Sequence, residues 1–563
     1  MMDKKLFILG IIFILLAILM TNCSTNPQEL NIPETQENLV LLPEVSTSST
    51  KEIEEIGVDT KNEPTLLWIE PNLQGRISLN NLVSYFDEVT YEKEKASLWV
   101  EKRTTMNLQG ILLYEKYYVL TVPFISRLNN LSFSQILDIW TEKDEESPNF
   151  QIWINESSLR DLNEIFREEP GDHVLISETE PALCEDNNCL RIMNFSEVDP
   201  RWKIIHIDQL SPLDVDFDAT VYPMVVRVWI NKNPRISGEI EFETDVEFST
   251  NFDPNKITTV LMTGTTALVR NTAYQIEQNG YDFPAQNLKS LLDSVDIIHI
   301  SNEVPFYSSC PPAVPVRPEM RFCSDPSYVE VLKRLNVNVI ELTGNHLLDW
   351  GPEAFLETIS IYGKNGINYY GGGINQDQAS KPYKIEHNGN KIVFLGCNVT
   401  GPDNNWATED RPGALKCDLE DMEDVIKLLV TGGYNPIFTF QHFEFNTFRA
   451  TQQMREDFWR MAKAGAVVVS GSQAHYPQGM DFVESSFIHY GLGNFFFDQM
   501  YTYWGMATID IHYFYNNHYI NTHQIAIINE NFGQPRIMTT EEENLLLEKL
   551  YSNSFYYQQE TQD

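Results

Sequence analysis

Several short clusters carry side chains whose types could do chemistry: Gly264-Thr265-Thr266, Ser301-Asn302-Glu303, Gly344-Asn345-His346-Leu347-Leu348-Asp349, Gln441-His442-Phe443-Glu444 and Gly471-Ser472-Gln473-Ala474-His475. The oxygens and nitrogens of Asn, His and Glu suit a borderline divalent ion such as Zn²⁺, Mn²⁺ or Fe²⁺. Such an ion lowers the pKa of bound water to about 7, which is hydrolytic chemistry. Singly, each cluster has a plainer explanation: Gly-Asn marks a turn, Asp349 can cap a following helix, and an isolated His is ordinarily structural. Taken together they point to one site.

The elements that must position them form a regular alternation. Apolar runs over residues 258–262, 296–301, 337–343, 391–395, 436–441, 466–470 and 487–490 read as strands. Residues 267–278, 326–335, 352–362, 418–430 and 449–464 read as helices between them. The rhythm predicts a layered α/β domain, and each polar cluster falls just after a strand, where open α/β sheets place ligands.

In this order the clusters resemble the capsule-synthesis CapA family, linked to poly-gamma-glutamate synthesis, over roughly residues 257–500. The most specific match is Thr343-Gly344-Asn345-His346-Leu347-Leu348-Asp349-Trp350-Gly351. Asn302-Glu303 falls at the family's Asn-Leu-Glu segment, and His475 falls on the second His of its paired-His loop. Tyr490-Gly491-Leu492-Gly493-Asn494-Phe495 is similar to its Tyr-Ser-Leu-Gly-Asn-Phe segment. The resemblance implies a calcineurin-like metallophosphoesterase fold. It also implies metal ligands Glu303, Asn345, His442 and His475, with Gln473 and Gln441 as weaker oxygen donors. His346 is then free to protonate a leaving oxygen while Asp349 orients its ring. Thr265 and Glu444 are expected at the substrate.

The chain departs from the family pattern where the first strand should end in Gly-Asp and instead ends in Gly264-Thr265. Gln473 stands in place of the first His of the paired-His loop, and Ser301 replaces an Asn. Losing an anionic ligand makes two adjacent dications harder to hold, so one Mn, Zn or Fe ion is expected rather than two, with no ion as the alternative.

Upstream, strand-like Tyr118-Val119-Leu120-Thr121-Val122 and Val225-Val226-Arg227-Val228-Trp229-Ile230 flank a helix-like stretch over 132–140. Val122-Pro123-Phe124, Pro200-Arg201-Trp202-Lys203 and Tyr222-Pro223 resemble periplasmic solute-binding proteins of the phosphate-binding type. The expected fold class is therefore α/β, a C-terminal metallophosphoesterase-like sandwich (255–535) preceded by a smaller solute-binding-protein-like domain (64–235). A C-terminal helix and tail follow (536–563).

At the other end, Lys4 and Lys5 precede a 15-residue apolar run from Leu6 to Met20 and then Cys23. The run is shorter than the ~20 residues of a spanning helix, so residues 1–23 read as a lipoprotein signal with lipid attachment at Cys23; an uncleaved anchor is the alternative. Residues 24–63, rich in Ser, Thr, Asn, Glu and Pro, read as a tether. The other six cysteines fall as local pairs, Cys184 with Cys189, Cys310 with Cys323 and Cys397 with Cys417. That pattern suggests disulfides rather than zinc ligands, although six cysteines allow 15 connectivities.

With 40 Lys plus Arg against 80 Asp plus Glu, the formal charge is −40, which argues against nucleic acid as a partner. The expected partners are an anionic envelope polymer or its precursor and, through the lipid anchor, a membrane; oligomeric state is not legible. Function is expected in synthesis or export of a capsule or poly-gamma-glutamate-type polymer. Two forms stand: a metal-dependent hydrolase, or a non-catalytic polymer-binding or assembly factor with a degenerate metal site. A solute receptor working through residues 64–235 is the third.

Overall fold

A computed structural model describes residues 64–73, 86–103, 110–142, 150–181, 188–235, 248–315 and 320–554. The expected signal, Cys23, the tether, Cys184 and the extreme C-terminal tail lie outside them.

The strand Ile257–Thr266 is buried at every position after the first, as a strand covered on both faces must be. It runs parallel to Ile297–Asn302, which is parallel to Val339–Glu341 and that in turn to Asn368–Tyr370. On its other edge it pairs antiparallel with Met506–Tyr515, and His518–Glu530 and Gln534–Ile537 complete a seven-stranded sheet.

A six-stranded sheet follows, in which Asn390–Asn398, Asn435–Gln441, Val468–Ser470 and Ser486–His489 are parallel neighbours. Val260, Met262, Ile297 and Val339 of the first sheet share an apolar core with Ile392, Phe394, Ile437 and Val468 of the second, so the sheets face each other. Ala273, Ile276, Phe355 and Tyr362 from the helices Arg270–Asn279 and Pro352–Lys364 cover the outer face of the first. Leu419–Thr431 and Gln452–Ala464 cover that of the second. The result is a four-layer helix–sheet–sheet–helix sandwich in which the parallel strands of both sheets end on one side.

The expected strand over 337–343 narrows to Val339–Glu341, although Leu342 N still donates to Tyr370 O at 2.9 Å before the chain turns at Gly344. The helix expected over 449–464 begins at Gln452, with the Thr451 side chain accepting from Met454 N. The expected C-terminal helix is Thr540–Ser552, opened by a capping box between Thr539 and Glu542.

Residues 66–250 build a separate 11-stranded mixed sheet with the helices Phe133–Thr141 and Glu156–Phe166. Pro64–Asp563 nevertheless form one compact unit. Where the two parts meet, Asn521 Nδ2 donates to Trp202 O at 2.9 Å and His523 Nε2 lies 3.1 Å from Ile204 O. A cavity of about 630 Å³ lies at this boundary, lined by Phe124, Lys203, His206, Ile511, Tyr513 and His523 among others and by no residue of the polar strand-end clusters.

Disulfides join Cys310 to Cys323 and Cys397 to Cys417, and Cys189 is also disulfide-bonded. They fit a chain folded outside the reducing cytoplasm. Among the described residues no helix is long and apolar enough to cross a membrane.

Candidate metal centre

The five polar clusters project from the ends of parallel strands in both sheets, and two glycines let the backbones converge. A Cβ on Gly344 would lie 2.8 Å from Glu303 Cα, so only glycine lets the loop after Val339–Glu341 close on Glu303. A Cβ on Gly264 would lie 1.8 Å from Gly493 O, where Thr265 N donates to that carbonyl at 3.0 Å. The 344–348 loop is clamped from the other sheet. Asn405 Nδ2 donates to Gly344 O at 2.7 Å, Asn405 Oδ1 accepts from Leu348 N at 3.0 Å, and Asn398 Nδ2 donates to Thr343 O at 2.7 Å.

Glu303, Glu444 and His475 come together with one ligand atom from each lying within 4.8 Å of the others. His475 Nε2 is 3.5 Å from Glu303 Oε1 and 3.8 Å from Glu444 Oε1. Those separations are long for good hydrogen bonds and suit donors arranged around a common centre. Glu444, expected at the substrate, thus stands among the potential ligands.

Asn494 fixes the imidazole. Its Nδ2 donates to Trp504 O at 3.0 Å, so Oδ1 faces His475 Nδ1 at 2.7 Å and Nε2 is left toward the carboxylates. Phe497 and Trp504 stack on the ring at 5.2 and 6.3 Å. Burial would depress the His475 pKa, but Glu303 and Glu444 outweigh it and push it up to about 9. Burial likewise acts upward on Glu303, yet the charges of His475, His346 and Arg270 hold it below the usual carboxylate range. Burial raises Glu444.

His346 Nδ1 lies 2.9 Å from Asp349 Oδ2, and that oxygen also accepts from Phe322 N at 2.7 Å. Asp349 is therefore not a helix cap: the following helix starts after Gly351, and the carboxylate orients the imidazole. Phe322 packs edge-on against the ring at 4.8 Å.

His442 falls outside the Glu303 group; its Nε2 is held by Asp457 Oδ2 at 3.0 Å, and Gln453 Nε2 steadies that carboxylate at 2.9 Å. His442 Nδ1 is left buried with no hydrogen bond among the described residues. The same is true of Thr265 Oγ1, Glu303 Oε1, Asn345 Oδ1 and both amide heteroatoms of Gln441 and Gln473. Leaving a buried polar atom unmade costs about 1–3 kcal/mol, so a cluster of orphans at one set of strand ends calls for a ligand. All are oxygen or nitrogen donors, apart from the amide NH₂ groups, and they fit a borderline divalent cation.

The sequence reading missed Glu341, a fully buried carboxyl behind the site. Ser301 Oγ and Thr343 Oγ1 each donate to it at 2.6 Å, and Ser472 Oγ donates from the loop of the other sheet. Burial raises its pKa against these hydrogen bonds. Its signal was an acidic residue inside an otherwise apolar strand. Asn398, Asn405 and Arg270 were missed as well.

Residues 259–499 match the family model described as bacterial capsule synthesis protein PGA_cap. The PGA biosynthesis protein CapA of Bacillus subtilis (strain 168) is 25% identical over 147 residues, 26% of this chain and 38% of that protein. The chain thus spans well under two thirds of that curated relative. Among solved structures, the NAD nucleotidase of Haemophilus influenzae aligns with a TM-score of 0.30 at 11% identity, covering 53% of this chain and 57% of that one. An ABC-type phosphate transport receptor from Vibrio cholerae aligns with a TM-score of 0.22 at 10% identity, covering 30% of this chain and 88% of that one.

Proposed function

We propose that the protein is a metal-dependent hydrolase of the phosphoesterase type, serving synthesis or export of a capsule or poly-gamma-glutamate-type envelope polymer, held at the membrane by a lipid on Cys23. The observation that carries the chemistry is the grouping of Glu303, Glu444 and His475 beside orphaned donors from neighbouring strand ends. The family match over residues 259–499 supports the polymer.

Glu303 and His475 would hold one ion, with Glu444, Asn345 and Gln473 as further donors. When bound, the ion supplies Lewis-acid polarisation and lowers the pKa of water. Asn494 engages His475 Nδ1 and so leaves Nε2 directed at the carboxylates, where it would bind an ion in exchange for its proton. Asp349 fixes His346 through Nδ1, so that its Nε2 can carry the proton for the leaving oxygen. The His346 side chain is 18% exposed, within reach of a substrate.

A second reading, a non-catalytic factor binding an anionic polymer or its precursor, is favoured by one observation: fully buried Thr265 stands where the resemblance places a carboxylate. To decide, the purified protein loaded with Mn²⁺ is assayed on bis(p-nitrophenyl) phosphate and on poly-gamma-glutamate, with His346→Ala as control. Turnover of either compound that falls about 100-fold or more in the variant supports the hydrolase, that being the usual scale of general acid catalysis. Saturable binding of polymer with no turnover supports the second reading.

A further inference from the structure

Arg270 opens the helix Arg270–Asn279 with a φ of +48°, a left-handed conformation that a non-glycine residue holds only when its surroundings over-determine it. Asp498 does so: its Oδ2 accepts from Arg270 Nε at 3.1 Å and from Asn271 N at 3.2 Å, and its Oδ1 accepts from Arg270 Nη2. The guanidinium lies over two rings, with centroids at 5.1 Å for Phe322 and 4.9 Å for Phe497. Each ring touches a different histidine of the candidate centre, Phe322 packing on His346 and Phe497 on His475. Arg270 is thus framed between the expected proton donor and an expected metal ligand, close enough that its charge acts on Glu303.

A guanidinium carries five N–H donors in a planar fork, and Asp498 uses two of them. No hydrogen bond among the described residues engages Nη1. An ion pair with Asp498 alone would not require a seat between rings that pack on His346 and His475.

We propose that Arg270 forms an oxyanion-binding subsite of this centre, its free Nη1 edge receiving a terminal oxygen of the substrate group next to the scissile bond. This rests on the proposed hydrolytic site but can fail separately from it. The ligand chemistry is an oxyanion that an arginine fork can grip, supplied either by a phosphoryl group or by a carboxylate of a glutamyl chain. Asp498, Phe322 and Phe497 position the fork. In a chain of formal charge −40, a cation fixed here also gives an anionic group a local reason to enter.

The test measures binding without turnover. Orthophosphate and, separately, glutarate are titrated by calorimetry into the Mn²⁺-loaded full chain, its R270K and R270M variants, and the double variant R270M/D498N, which leaves no lone buried carboxylate. The expected result is saturable binding of at least one probe, weakened about tenfold or more in R270M and in the double variant and partly restored in R270K. Which probe binds identifies the phosphoryl or the carboxylate source. Failure of both probes to bind the wild type, or binding unchanged in R270M and in the double variant, overturns the subsite. Arg270-dependent binding with no hydrolysis would instead remove the hydrolase reading and leave the subsite standing. Hydrolysis with an unchanged KM in R270M would do the reverse.

Discussion

Asn494 Oδ1 faces His475 Nδ1 at 2.7 Å, and this one contact decides which nitrogen of the imidazole can serve the carboxylates of Glu303 and Glu444. Removing the partner of a metal-ligating histidine typically lowers metal affinity by about 10–100-fold. Asn494→Ala is therefore expected to weaken Mn²⁺ or Zn²⁺ binding by that order while leaving ligand identity intact. Metal titration of the two proteins checks it; equal affinities would remove Asn494 from the account.

Thr265 stands where the family resemblance expects a further carboxylate. Its Oγ1 is buried and without a hydrogen bond among the described residues. Thr265→Asp should lower the melting temperature of metal-free protein, because the added charge is buried near Glu303, and should bind metal more tightly than wild type. Thermal melts with and without Mn²⁺ give both numbers. A variant as stable as wild type without metal, and no better at binding it, would mean that residue 265 does not face the centre.

Glu341 ties three strand ends of two sheets through Ser301, Thr343 and Ser472. Glu341→Ala strands three buried hydroxyls at about 1–3 kcal/mol each, partly recovered if they re-pair, so a loss of several kcal/mol is expected. Glu341→Gln, which keeps the shape and one acceptor, should lose less. Urea unfolding of both variants measures the order, and a reversed order would contradict the proposed role.

Several buried histidines set an acid limit. Burial lowers His299 to about 3, and His512 and His523 to about 4, all below the ordinary 6.5. In the window between 6.5 and these values the unfolded chain binds more protons than the folded one, so stability is fully present above 6.5 and is lost as pH falls. Each such histidine contributes about 1.4 kcal/mol per pH unit there. Asp481, raised by burial to about 6, acts in the opposite sense below that pH. His523→Gln, which keeps a donor for Ile204 O, should flatten the slope of stability between pH 6.5 and 4.5. An unchanged slope would show that His523 is not carried neutral into the fold.

The strands and helices of the C-terminal part were legible because both strand faces are buried and the runs are apolar, as at Ile257–Thr266. The polar clusters at their ends were legible because turn residues and chemically able side chains coincide there. The strands Met506–Tyr515 and His518–Glu530 were not picked out, since His, Asn, Thr and Gln interrupt their apolar pattern; His523 and Asn521 spend those polar groups on the neighbouring part of the protein. Glu341, Asn405 and Arg270 escaped for a related reason. Apart from Thr343 beside Glu341, their hydrogen-bond partners are 40 to 228 residues away in sequence, and only the closed sandwich brings them together.

Elemental analysis of the purified protein shows whether Glu303 and His475 hold a single divalent ion. Close to one equivalent of Mn, Zn or Fe is expected in the wild type after supplementation, and its loss in both His475→Ala and Glu303→Ala. No stoichiometric metal in the wild type, or an equivalent that survives both substitutions, would contradict it.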